Sequence, residues 1–290
     1  MSAPTRTSPP APPSAARRSF GVRLLVLLPL MSVVLIAVQG IAQAVGDDPV
    51  VAPLVGLTSA AGALAVYRVV VARLERRPVD EVRRPAVGGI ASGLGIGLVL
   101  MSATIGIIAL FGGYEVTGSG SLGAALAAVG TMAAVAATEE LLFRGVVFRL
   151  AEEKLGTWGG IILSAVLFAA LHLVNPDADL WGALALSVEA GAMLAAAFVA
   201  TRSLWLPIGI HLAWNWAEGS LFGTVVSGSS SDANDSLLTS SSHGSALVTG
   251  AGFGPEASIP AILVCLVPTV LLMRLAGKRG RVIPRRKPVA

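Results

Sequence analysis

The stretch TEELLFRG, Thr138 to Gly145, sets two adjacent glutamates and an arginine inside an otherwise apolar run. On a helix Glu140 and Arg144 are four residues apart and share a face, while Glu139 is turned roughly 100° away from Glu140. One acid can therefore be neutralised by the arginine while the other points elsewhere. Two further places carry titratable or amide side chains in apolar surroundings. LFAALHLVN holds His172 one turn after Phe168, and GIHLAWNW holds His211 and Asn215 four apart on one helix face. Each place has a plainer reading by itself: an interfacial ion pair, a satisfied core histidine, or an interhelical hydrogen-bonding patch worth about 0.6 kcal/mol per contact. Together they are the parts needed to hydrolyse an amide. An acid can deprotonate water, a partner can orient that acid, and donors can hold the developing oxyanion, with no activated serine or cysteine required. Cys265, with no histidine nearby in sequence, reads as an apolar filler. Glu189 either lines the cavity or is simply protonated, and it stays outside the catalytic set.

The elements that must position these residues are membrane helices. The chain has 290 residues, 54% hydrophobic and 13% charged, and a mean hydropathy of +0.77, which excludes an ordinary soluble domain. Apolar runs approach the ~20 residues that span a bilayer. The expected fold is all-α, a polytopic helix bundle of about eight spans near 21–45, 50–72, 88–112, 121–143, 157–174, 180–201, 203–222 and 258–275. Residues 1–19, rich in Pro, Ala and Ser, are expected to be a disordered tail. Residues 20–276 form the membrane core, with the candidate motifs within 120–220, and 277–290 a basic tail. The single cysteine leaves no intramolecular disulfide possible.

The 21 Lys and Arg residues fall on one side of this map, in the two tails and the even-numbered connections. The odd-numbered connections hold only acids, including the Ser-rich stretch 227–245 that reads as a flexible outer loop. By the positive-inside rule both termini are cytoplasmic. The basic residues thus mark topology, and no nucleic-acid partner is implied; the expected partners are the lipid bilayer and a membrane-associated protein or peptide.

If the fourth and fifth spans turn around Leu155 and Gly156, Glu139 and His172 lie at equal depth, each ~24 Å along its helix from that turn. The site is then expected near mid-membrane, on the cytoplasmic side of centre. His211 and Asn215 on the seventh span reach the same region.

EELLFR, FAALH and HLAWN resemble, in order and on separate apolar helices, the EExxxR, FxxxH and HxxxN motifs of the CAAX protease and bacteriocin-processing (CPBP) intramembrane endopeptidases. That family includes the eukaryotic type II CAAX prenyl endopeptidase. The resemblance covers residues 120 to 220 and implies a glutamate-dependent peptidase. It makes Glu139 the general base assisted by His172, gives the oxyanion to His211 and Asn215, and makes Glu140 and Arg144 a supporting pair. The Ala-, Gly- and Arg-rich composition looks like that of a high-GC bacterium, so the expected location is a bacterial cytoplasmic membrane and the substrate is not expected to be a prenylated CAAX protein.

Two other readings stand beside this one. The first is a non-enzymatic immunity or transport protein that binds a peptide or proton through the same cluster. The second is a zinc-dependent version of the protease with Glu139, His172 and His211 as ligands. No cofactor is expected, on two grounds. The only evident polar group beside His211 is Asn215, which leaves that histidine without a second-shell acceptor, and the HExxH spacing that sets two ligands on one helix face is absent.

Overall fold

In the computed structural model, residues 18–46, 48–83, 87–229 and 236–285 are described. Most of the expected N-terminal tail, residues 230–235 of the Ser-rich stretch and residues 286–290 of the expected C-terminal tail lie outside them. The chain runs through α1 (Phe20–Val45), α2 (Val51–Glu75), α3 (Val87–Leu110), β1 (Tyr114–Ser119), α4 (Leu122–Leu142), α5 (Arg149–His172), α6 (Leu180–Leu186), α7 (Met193–Thr201), α8 (Trp205–Asn215), β2 (Leu238–Ser242), α9 (Ala246–Thr249) and α10 (Ile259–Lys278). The fold is a polytopic helical bundle, as its composition requires.

Among the described residues, six helices are long and apolar enough to cross a membrane, against eight expected stretches. The difference has two sources. The run from Leu122 to His172 is continuous by hydrogen bonding, but Gly156 breaks it with φ 72° and ψ 176°. A side chain there would collide with the backbone of Ile283 and Arg285, which docks at this turn. The other source is α8, whose 11 residues and six-residue continuation stop short of a full span.

Two seams of glycine bring the site helices together. A Cβ on Gly56 of α2 would lie 2.1 Å from the Gly130 carbonyl carbon of α4, and one on Gly130 would lie 2.4 Å from Pro53. Between α3 and α8, Gly93, Gly97 and Gly209 leave equally little room. With no hydrophobic drive between helices in lipid, close backbone contact is what holds them, and small residues permit it. Glu139 rides on the first seam and His211 on the second.

Two features of the basic-free end depart from the sequence reading. The connection after α3 is a strand, β1, paired antiparallel with β2 from the Ser-rich stretch, with Tyr114 opposite Ser242 and Ser119 opposite Leu238. The described flanks of that stretch are also buried at Thr224, Ser227 and Ser236. Serine and threonine side chains that look solvated in sequence here donate to backbone carbonyls: Ser236 to Leu238 at 2.7 Å and Ser240 to Gly223 at 2.9 Å. At the opposite end α10 continues to Lys278, past the expected boundary at 276, and Thr157 and Ile283 exchange hydrogen bonds at 2.9 and 2.8 Å.

Candidate active site

Glu139 and Glu140 occupy the last turn of α4, both buried. The chain then widens into a π-helical segment, Phe143–Phe148, before α5. Such wide turns put extra backbone groups within reach of side chains and are common at functional sites. Arg144 lies in this segment with no exposed surface. Its Nη1 donates to Glu140 Oε1 at 2.7 Å, and its Nη2 donates to the Ala190 and Gly191 carbonyls at 3.2 and 3.0 Å. Those two carbonyls belong to a second π-helical segment, Ser187–Ala192, between α6 and α7. The arginine thus ties two widened helices together.

His211 lies between the two acids. Its Nδ1 is 3.2 Å from Glu140 Oε1 and its Nε2 is 3.7 Å from Glu139 Oε2. A carboxylate oxygen can only accept, so Nδ1 carries the proton of that hydrogen bond. Nε2 then faces Glu139 Oε2 at a distance too long for a hydrogen bond. His172 is oriented in the same manner, with Nδ1 2.9 Å from the Phe168 carbonyl, which also can only accept. Its Nε2 is therefore the nitrogen free for chemistry. Phe168 is the hub of the motif: its ring packs edge-on to Phe143 at 5.2 Å and against His172 at 4.8 Å, and the Arg144 guanidinium sits 4.7 Å over it.

A cavity of 570 Å³ is lined by Glu139, His172 and Asn215, together with Gln39, Gln43, Thr131, Asn175 and Ser227. Of the two acids, only Glu139 reaches its wall. His211 lines a small adjoining space with His172, Asn215, Trp214, Ser227 and Glu256. All six residues singled out in the sequence therefore converge, but their contacts differ from the expected pairing. Glu139 has His211, not His172, as its nearest histidine contact, and Glu140 is shared between Arg144 and His211. The cavity also extends toward the basic-free end, where the C-terminus of α1 and the connection after α5 line it. Glu139 and His172, expected at equal depth, line this same cavity.

The sequence reading missed Glu256. Its carboxylate accepts from Trp214 Nε1 at 2.9 Å and Ser227 Oγ at 2.5 Å, fastening the outer connection over the site. The available signal was one acid in a short Gly- and Pro-rich run just before α10. Glu218 is fully buried beside Glu256, and Glu189 beside Cys265 and Arg144, each in a π-helical segment. Among the described residues no group of three or more His, Cys, Asp or Glu is arranged to hold a metal ion. One ground for expecting no zinc nevertheless fails, because Glu140 and the Phe168 carbonyl supply each histidine with the acceptor that second-shell orientation needs.

A helical bundle with several apolar spans and a buried ion-paired cluster beside a cavity defines a multi-pass membrane protein. Its residues 119–217 match the family model described as Type II CAAX prenyl endopeptidase Rce1-like. This match supports the CAAX protease family, coincides with the segment carrying all six residues, and indicates CAAX-type intramembrane protease activity. No curated protein and no solved structure matches the chain.

Proposed function

We propose that the protein is an intramembrane endopeptidase of a bacterial cytoplasmic membrane, which hydrolyses a peptide bond of a membrane-associated protein or peptide with water activated by Glu139. The observation that carries this reading is the division between the acids: Glu140 is engaged by Arg144 and His211, and Glu139 faces the cavity. Water held between Glu139 and His172 Nε2 gives its proton to Glu139 as its oxygen attacks the carbonyl carbon. The Asn215 amide donates to the resulting oxyanion. Glu139 then passes the proton to the departing amine, and the C–N bond breaks. His211 keeps Glu139 in place and lends it a proton partner. No metal takes part in this scheme.

The test compares peptide termini in membranes from cells carrying the wild type and Glu139→Gln. A set of termini present only with the wild type supports the reading. Identical sets overturn it and favour the non-enzymatic alternative.

A zinc-dependent version has one observation in its favour, the outward-facing Nε2 atoms of two oriented histidines beside Glu139. The residues would fit a three-ligand site only after His172 and His211 approached a common point, which the present arrangement does not provide.

A further inference from the structure

The helix α1 is almost wholly apolar, yet it carries two carboxamides, Gln39 and Gln43, both on the wall of the 570 Å³ cavity. Four residues apart, they project from one face of α1, and that face is turned to the cavity. At the basic-free end the cavity is lined by the C-terminal end of α1 through Gly46, by Val174 and Asn175 just beyond α5, and by Val226, Ser227 and Ser229 of the connection after α8. Arginines mark the other end of the same helices. Arg23 of α1 pairs with Glu153 of α5, Arg149 with Glu75 of α2, and Arg202 with Glu152. These lining residues and the basic cluster are at opposite ends of the bundle.

A peptide bond buried in a membrane protein needs partners for its own N–H and C=O groups. A carboxamide offers both a donor and an acceptor. Along α1 the two glutamines are separated by about 6 Å, from four residues of helical rise. Alternate residues of an extended chain, whose backbone groups point the same way, repeat about every 6.6 Å. The two spacings match closely enough for Gln39 and Gln43 to hold successive same-facing backbone groups of one strand. That strand would run past Glu139, His172 and Asn215 on the facing walls.

Resting on the proposed peptidase activity, we infer that the substrate is an extended polypeptide segment that enters from the basic-free side of the membrane and is held through its backbone by Gln39 and Gln43. By the positive-inside rule this is the outer side. The scissile bond therefore belongs to an outer juxtamembrane or secreted segment.

Two measurements test this. The variants Gln43→Cys and Asp80→Cys are treated with a membrane-impermeant polyethylene-glycol maleimide in right-side-out and inside-out vesicles; the native Cys265 is fully buried and Asp80 lies at the basic end. Gln43→Cys is expected to react in right-side-out vesicles and Asp80→Cys in inside-out ones. The reverse pattern overturns the access route whether or not the protein cleaves anything. In the second measurement, the termini that depend on Glu139 are expected to map to outer segments and to fall about 10-fold in Gln39→Leu/Gln43→Leu, the change that about 1.4 kcal/mol of lost binding produces. Folded yield of the double variant should be unchanged, since leucine suits an apolar helix. Termini mapping to cytoplasmic segments, or an undiminished yield of them in the folded double variant, overturn the inference while leaving the peptidase reading intact.

Discussion

Two clusters of buried charge lie in this bundle, and they are built to different standards. At the basic end the groups are densely paired. Glu75 accepts from Arg149 at 3.0 and 2.8 Å and from Arg77 at 2.6 Å. Glu81 accepts from Arg77 at 2.9 and 2.6 Å and lies 2.8 Å from the Tyr67 hydroxyl. Arg149 Nε reaches the Gly145 carbonyl at 2.7 Å, in the widened turn of the catalytic helix. At the site, by contrast, two adjacent acids share one arginine and one histidine. Among the described residues, Glu139 Oε2, Glu140 Oε2 and Arg144 Nε are buried without a hydrogen-bond partner, as is Arg23 Nε in the basic cluster. Well-satisfied networks hold a fold rigid, whereas unspent hydrogen-bonding capacity is where a protein departs from its own rules for function. The first cluster clamps the helices; the second keeps groups available for water and substrate.

The contrast is broken most directly at Glu139. Glu139→Gln removes the proposed general base, a group worth typically 10²–10⁴ in rate, so cleavage should fall by about that factor while folded yield stays near normal. Glu140→Gln and Arg144→Ala should lower folded yield as well, because each leaves a buried charge uncompensated at a cost of about 3–5 kcal/mol. Yield measured by size exclusion alongside cleavage separates the two behaviours. Equal loss of folding in all three variants would erase the division between the acids.

At the basic end the expected pattern is the converse. Arg149→Leu leaves Glu75 with a weakened partner set and should cost up to about 3–5 kcal/mol of stability, with cleavage per folded molecule changed by a factor of a few at most. A thermal melt and a rate normalised to folded protein check both halves. Tyr67→Phe, which removes one hydroxyl from the Glu81 network, should cost about 1 kcal/mol by the same melt. A large drop in rate per folded molecule from either change would mean that the clamp also tunes the site.

The pH dependence sharpens the same comparison. Burial alone would raise the Glu81 carboxyl, but its hydrogen bonds to Arg77 and the nearby Arg149 charge hold it below the ordinary carboxylate range. A folded-state value below the unfolded one, about 4.3, means that its contribution is fully present above that pH and is lost as pH falls through the folded value. Melts of the wild type at pH 7 and pH 4 should therefore differ more than those of Glu81→Gln. Equal pH sensitivity in the two proteins would remove Glu81 from the acid-labile set.

Much of this arrangement was legible before any coordinates. Helical periodicity and apolar runs are local signals, and they located the helices, the break at Gly156 and the pairing of Glu140 with Arg144. What stayed hidden depends on which segments meet. His211 and the acids are separated by some 70 positions in the chain, and neither motif says that the histidine will sit between two carboxylates. Glu256 is fixed by Trp214 and Ser227, contacts that only the folded outer connection creates. The strand pair β1 and β2 joins two polar stretches that lack a strong alternating apolar pattern. Widened turns leave no signature in composition, so the carbonyls that receive Arg144 could not be anticipated.

The smallest expected effect is that of removing metal. Glu139, His172 and His211 come near one another, and both histidines already have Nδ1 acceptors, so the sequence argument from a missing acceptor carries no weight. The argument that remains is geometric. A catalytic zinc needs three protein ligands about 2.0–2.2 Å from a common point, and no such group is formed among the described residues. His211 Nε2 and Glu139 Oε2 stand 3.7 Å apart, beyond hydrogen-bond distance. Purified protein should therefore contain sub-stoichiometric zinc and keep its cleavage rate after prolonged treatment with a strong chelator. Loss of activity restored by about one equivalent of zinc would reassign Glu139, His172 and His211 as ligands and turn Glu140 into the orienting acceptor of a metal site. The two outcomes also differ without any activity assay, because a bound zinc would raise the melting temperature and a chelator would lower it, whereas a metal-free site should melt identically with and without chelator.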